Sequence, residues 1–179
     1  MRPTDMKSTE FDLEIGFSLG SNLGDRLENL KAAKKCLLSF PEARLAEQSS
    51  VYETEPIGVR PEHAHLQFLN AVIIIRSSWP VEPWLAKVGA VENELARDRI
   101  EDRCAPRTID IDILYAGNSS IDSGGLVVPH PRWAQRRFVV QPLAEVRPDL
   151  ILPGAGKTVR EILDALSPGE RCSVFAESW

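Results

Sequence analysis

Cysteine is scarce in this 179-residue chain: Cys36, Cys104 and Cys172 are odd in number, far apart and in no Cys-x-x-Cys or Cys/His ligand spacing. That argues against a disulfide framework or a zinc site and fits a reducing, cytoplasmic setting. Long apolar runs are missing too, none approaching the ~20 residues of a membrane-spanning helix. Residues 1–10 are polar, carry no signal-peptide core and read as a frayed tail ahead of a single domain over 11–179. Basic excess is lacking: 21 Lys and Arg against 26 Asp and Glu leave a net charge of -5, which argues against broad binding to nucleic acid or anionic membrane. No Gly-x-Gly-x-x-Gly occurs, and Gly154-Ala155-Gly156-Lys157-Thr158 copies only the end of a Walker loop, with Ile151 where its first glycine belongs. The 43% apolar and 26% charged fractions are those of an ordinary globular protein with room for a sizeable core.

What is present centres on Pro106-Arg107-Thr108-Ile109-Asp110-Ile111-Asp112-Ile113-Leu114. Isoleucine alternating with aspartate is a period-two pattern, so the run predicts a strand with one apolar and one acidic face. Both carboxylates then point the same way, their Cα atoms about 6.6 Å apart at ~3.3 Å per residue. They are either a solvated edge or a seat for one or two hard cations. Arg97, Arg99, Arg103 and Arg107 crowd the approach, the local basic patch of an acidic chain. Carboxylates for Mg²⁺ beside guanidinium groups for phosphate oxygens are the parts of phosphoryl transfer, which favours the cation seat.

Along the chain, Phe11, Leu13, Ile15, Phe17 and Leu19 alternate as a half-buried strand. Gly20-Ser21-Asn22 turns it into a helix capped by Ser21 or Asn22, with Leu23, Leu27, Leu30 and Leu37 as its buried stripe, stopped at Phe40-Pro41. Residues 44–54 read as one irregular strand, and the segment to His65 as a loop able to move over a ligand. Residues 66–76 form a strongly apolar strand interrupted by Asn70, whose amide is either tied to a neighbour or reads the edge of a heterocycle. A second helix starts near Pro80 with Val81, Leu85, Val88 and Leu95 inward. Glu92 falls on that face, either by an error of register or because it aims at the cation and arginine cluster. Gly117-Asn118 and Gly124-Gly125 bracket a hairpin. After it come Val128-Pro129-His130-Pro131 and the basic run from Arg132 to Phe138, a second phosphate-contacting arm. Thr158-Val159-Arg160-Glu161 is a capping box opening a last helix to Leu166. The order predicts an α+β fold: a ferredoxin-like βαββαβ antiparallel sheet with helices packed on one face, plus a C-terminal extension of short strands and helices.

Five segments, Gly20-Ser21-Asn22-Leu23-Gly24-Asp25, Thr54-Glu55-Pro56-Ile57-Gly58, Phe68-Leu69-Asn70, the run 106–114 and Val128-Pro129-His130-Pro131-Arg132, together resemble the 6-hydroxymethyl-7,8-dihydropterin pyrophosphokinases of folate biosynthesis. The resemblance runs from about Ile15 to about Leu166. It implies transfer of the β,γ-diphosphate of ATP to the pterin hydroxymethyl oxygen, with AMP released. Asp110 and Asp112 would hold two Mg²⁺ ions, supported by Glu92, and Arg97 and Arg107 would close on the phosphates as catalytic cations. Arg99, Arg103, Ile113, His130 and Arg136 match ATP-contacting positions. Phe68 and Phe138 match the aromatic pair around the pterin, with Thr54, Glu55, Ile57, Asn70 and Glu92 also on the pterin side. The chain departs from many relatives at Cys104-Ala105, where they carry Trp-Gly, and at Gly125 and Val127, where some carry Arg and Thr. Small-molecule substrates, no nucleic acid, no membrane and a monomer are the partners expected. The competing readings are a catalytically inactive nucleotide- or RNA-binding module of the same fold, and an interaction protein without turnover.

Overall fold

The computed structural model describes residues 12–56, 61–63, 65–95, 108–167 and 171–179. Arg97, Arg99, Arg103, Arg107, Cys104, Ala105 and Ile57, like the tail 1–10, lie outside the described residues. The main sheet is antiparallel throughout and runs in the order β5-β1-β4-β3-β8, with β2 also pairing β4. Its strands are β1 (Leu13–Ser21), β2 (Ala43–Gln48), β3 (Val51–Thr54), β4 (Phe68–Ser77), β5 (Asp110–Ala116) and β8 (Cys172–Ala176). Helices α1 (Arg26–Leu38) and α2 (Glu82–Leu95) complete the βαββαβ order, with β2 and β3 sharing one strand position. A hairpin of β6 (Ile121–Ser123) and β7 (Leu126–Val128), then α3 (Arg137–Val146) and α4 (Val159–Ala165), make up the extension.

Period-two alternation splits the sheet into two faces. Ile15, Phe17 and Leu19 of β1, Leu69, Ala71, Ile73 and Ile75 of β4, and Ile109, Ile111 and Ile113 on or beside β5 pack under α1 and α2. Val72, Ile74, Leu114 and Tyr115 on the other face are covered by Val139, Val140 and Leu143 of α3 and by Val159 and Leu163 of α4. The ferredoxin-like core thus has its two helices on one face, and the extension supplies a layer on the other.

Local expectations change in several places. Asp25, not Ser21 or Asn22, caps α1, accepting from the Glu28 amide at 3.1 Å, and Leu23 is exposed. Ser21 and Asn22 are instead buried in the turn, where Asn29 Nδ2 donates to Ser21 Oγ and to the Leu23 carbonyl. Helix α2 begins at Glu82, and its inward side chains are Trp84, Val88 and Val91 rather than Leu85, which is exposed. The predicted strand 44–54 is broken at Ser49-Ser50. Ser49 pairs with Val72 through both its amide and its hydroxyl, while the Ser50 amide and hydroxyl donate to Glu145 of α3. The Thr158/Glu161 capping box is present, and α4 ends one residue earlier than expected.

Between β1 and β5 the register slips: Phe17 faces Ile113 but Gly16 faces Tyr115, so Leu114 is an extra residue and the strand bulges there. Tyr115 then lies flat over Gly16, where an added Cβ would stand 2.3 Å from the ring. The ring cannot swing clear, because its hydroxyl donates to Glu14 Oε1 at 2.7 Å and Arg147 holds the same carboxylate. Gly16→Ala is therefore expected to destabilise the protein by about 1–3 kcal/mol, the range for overpacking a tight core. Thermal melting checks this; an unchanged midpoint would refute the contact.

Candidate active site

The face of the sheet beneath α3 carries both aspartates. Asp110 pairs with Gly20 and Asp112 with Ser18 on β1, and those two residues pair across to Asn70 and Val72 on β4. One row of the sheet therefore reads Asp110, Gly20, Asn70, Tyr52, with Tyr52 contributed by β3. Strands are ~4.8 Å apart, so Asp110 and Asn70 stand about 10 Å apart. Between them lies a glycine with no side chain, and Ser18 beside it is small. A Cβ at Gly20 would press to 3.1 Å from Asn70 Oδ1, so glycine keeps this floor low.

Asp112, with a side chain 37% exposed, is the outermost group of a charged cluster. Its Oδ2 stands 3.8 Å from His130 Nε2 and 3.7 Å from Arg136 Nη1, close enough for the guanidinium to attract it at partial burial. His130 is held by its own amide, which donates to the Leu114 carbonyl at 2.9 Å. Its Nδ1 accepts from the Arg132 amide at 3.2 Å, so the neutral ring carries its proton on Nε2, toward Asp112. Burial pushes the imidazole below its ordinary pKa; Asp112 opposes that shift, and Arg136 and Arg132 add to it. Burial likewise lowers Arg136, whose guanidinium lies 5.5 Å from the centroid of Phe138.

Among the residues expected on the pterin side, Asn70 is 4% exposed and its Nδ2 donates to Thr54 Oγ1 at 2.7 Å. The amide is thus tied to a neighbouring strand, the first of its two readings, while remaining on the same face as the aspartates. Phe68 and Phe138 are half-buried, Thr54 is buried and Glu55 is exposed. Glu92 lies on α2, on the other side of the sheet from α3. It accepts from the Ile111 amide at 2.8 Å, covering the outer edge of β5 between the two aspartates. Ile113 buries its side chain on the opposite face. A cavity of 530 Å³ borders His130, Trp133, Lys157 and Ile162, beside the charged cluster rather than on the Asp110–Asn70 row. Sequence reasoning had no role for Glu145, whose carboxylate bolts α3 to β3 by accepting from Ser50 and from the Tyr52 hydroxyl at 2.9 Å. With burial acting first and Glu145 second, that phenol is pushed up to about 12.

Fold and site together define a ferredoxin-like α+β protein whose sheet face presents paired carboxylates next to cationic side chains and a buried amide. The family model described as 7,8-dihydro-6-hydroxymethylpterin-pyrophosphokinase (HPPK) matches residues 16–148. A 2-amino-4-hydroxy-6-hydroxymethyldihydropteridine pyrophosphokinase of Bacillus subtilis is 41% identical over 129 residues, covering 72% of this chain and 75% of that protein. One from Methylorubrum extorquens is 38% identical over 150 residues, covering 84% and 91%. Among solved structures, a crystal structure of HPPK-DHPS in complex with substrates shares the fold at a TM-score of 0.68 and 12% identity, covering 86% of this chain and 43% of that one. The chain belongs to the 7,8-dihydro-6-hydroxymethylpterin-pyrophosphokinase family. Its activity is that of a pyrophosphokinase of folate biosynthesis, and an inactive nucleotide- or RNA-binding module is not favoured. Among the described residues no helix is long and apolar enough to cross a membrane.

Proposed function

We propose that the protein transfers the β,γ-diphosphate of ATP to 6-hydroxymethyl-7,8-dihydropterin across the row Asp110, Gly20, Asn70. The observation that carries this reading is that row: a carboxylate and a buried amide about 10 Å apart on one face, with only glycine between them. The aspartates fit Mg²⁺: both are hard oxygen donors on one face of the sheet. That matches an ion which takes one or two carboxylates and fills its shell with phosphate oxygens and water. When bound, the metal neutralises phosphate charge and orients the triphosphate.

The chain's own residues do the rest. Asp110 and Asp112 would hold the metal at β5, with Glu92 holding the strand edge between them. His130 and Arg136, beside Asp112, offer an N–H and a guanidinium to phosphate oxygens, joined by Arg99 and Arg103 and by the main chain of Ile113. Phe68 and Phe138 stack on the pterin, and Asn70 reads its edge with Thr54, Glu55 and Ile57. The hydroxymethyl oxygen attacks the β-phosphorus as the bond from that phosphorus to the bridging oxygen breaks. AMP leaves with the bridging oxygen, and the hydroxyl proton passes to solvent. Arg97 and Arg107 stabilise the charge that develops, so the chemistry is positioning and neutralisation. The scarce, unpaired cysteines support a cytoplasmic setting, and the protein acts as a monomer with one catalytic domain over 11–179.

Incubated with ATP, Mg²⁺ and hydroxymethyl-dihydropterin, the protein is expected to release one AMP per pterin diphosphate formed. Release of ADP, or no turnover by folded protein, would contradict the reading.

A further inference from the structure

The residues assigned to the pterin have a support on the reverse side of the sheet. Thr54 and Phe68 pair in register at the open end of β3 and β4, both toward the active-site face, so Glu53 turns to the α1 side. There Arg26, the first residue of α1, spans the two strands. Its Nη1 donates to the Gln67 carbonyl at 2.9 Å and its Nη2 to Glu53 Oε1 at 2.9 Å. One planar fork thus grips the residue immediately before Thr54 and the residue immediately before Phe68. With its nitrogen turned toward Glu53, the Gln67 amide donates to both carboxylate oxygens at 3.2 and 3.3 Å. Strand β8 backs the grip: Ser173 pairs with Glu53, and the Phe175 ring lies 5.8 Å from the Arg26 guanidinium carbon.

We propose that Arg26 is a positioning residue for pterin binding, fixing the separation and pitch of the strand ends that carry Thr54 and Phe68. The inference rests on the assignment of those residues to the pterin. A single partly exposed ion pair contributes little to global stability, so a structural role predicts a small melting shift and no preference between substrates. A positioning role predicts a loss confined to one of them. Arginine suits the task because two acceptors on separate strands need a rigid fork; the point charge of lysine satisfies one at a time.

The test varies pterin at saturating ATP, and ATP at saturating pterin, for Arg26→Ala, Arg26→Lys, Glu53→Gln and Phe68→Ala. Arg26→Ala is expected to raise KM for the pterin about tenfold, the effect of losing ~1.4 kcal/mol of preorganised binding, with kcat and KM for ATP close to wild type. Arg26→Lys recovers only part of this, and Glu53→Gln moves the same constant in the same direction. Should Arg26→Ala fail to fold, Arg26→Lys and Glu53→Gln carry the test by the same criterion. The proposal is overturned if the variants leave KM for the pterin unchanged, or raise both KM values alike, while Phe68→Ala raises the pterin value. If Phe68→Ala leaves that value unchanged, the pterin assignment itself has failed and the proposal falls with it.

Discussion

Asp112→Ala is expected to lower AMP release by about a thousandfold or more, roughly 4 kcal/mol of lost transition-state stabilisation, with Mg²⁺-dependent ATP binding lost in parallel. His130 and Arg136 each stand within 4 Å of its Oδ2. Removing it takes away a metal donor and leaves two groups that attract phosphate without the ion that would orient it. Metal-independent ATP binding can persist in such a variant, held by Arg136 and His130; productive binding cannot. Melting should change little, since the carboxylate is partly exposed. Calorimetric titration of ATP with and without Mg²⁺, alongside the AMP assay, checks both halves. A wild-type rate would remove Asp112 from the machinery.

The second large effect belongs to Asn70→Ala, on the other substrate. Two hydrogen bonds to a bound heterocycle at about 1.5 kcal/mol each amount to ~3 kcal/mol, or a hundredfold and more in kcat/KM for the pterin. KM for ATP is expected to stay near wild type, because Asn70 is two strands from Asp110 in the sheet. The variant also deprives the buried Thr54 hydroxyl of its 2.7 Å donor, so a lower melting temperature accompanies the loss. Asn70→Asp separates the effects: it keeps the size of the side chain, and its ionised carboxylate accepts hydrogen bonds but cannot donate them. Equal losses against both substrates would mean that Asn70 serves the fold rather than the pterin.

The strands that build the site were legible because their periodicity is physical: β1, β4 and β5 each bury one alternate row under α1 and α2. That alternation alone puts Asp110 and Asp112 on one face. Helix α3 was hidden by Pro142 in its interior and by the basic run at its start, although Val139, Val140, Leu143 and Ala144 form a buried stripe once the helix is seen. The break at Ser49-Ser50 depends on Glu145, 95 residues away, which no local pattern announces. Strand β8 is short and mostly exposed, so it carries no alternation to read. In α2 the buried Trp84 and Val91 define a face that counting from Leu85 misses. Arg26 could not be singled out from spacing, because its partners lie 27 and 41 residues on and meet only when β3 pairs with β4.

The slip at Leu114 has a mechanical consequence for the strand that carries the aspartates. Two like charges side by side push against each other and against an arriving triphosphate, and β5 lies at the rim of the sheet with a neighbour on one flank. Because the extra residue turns both Leu114 and Tyr115 into the α3 layer, while Ile113 and Ala116 remain in the layer below, the rim strand is pinned from above and beneath next to its charged half. One end of β5 can therefore bear electrostatic load because the other end is clenched.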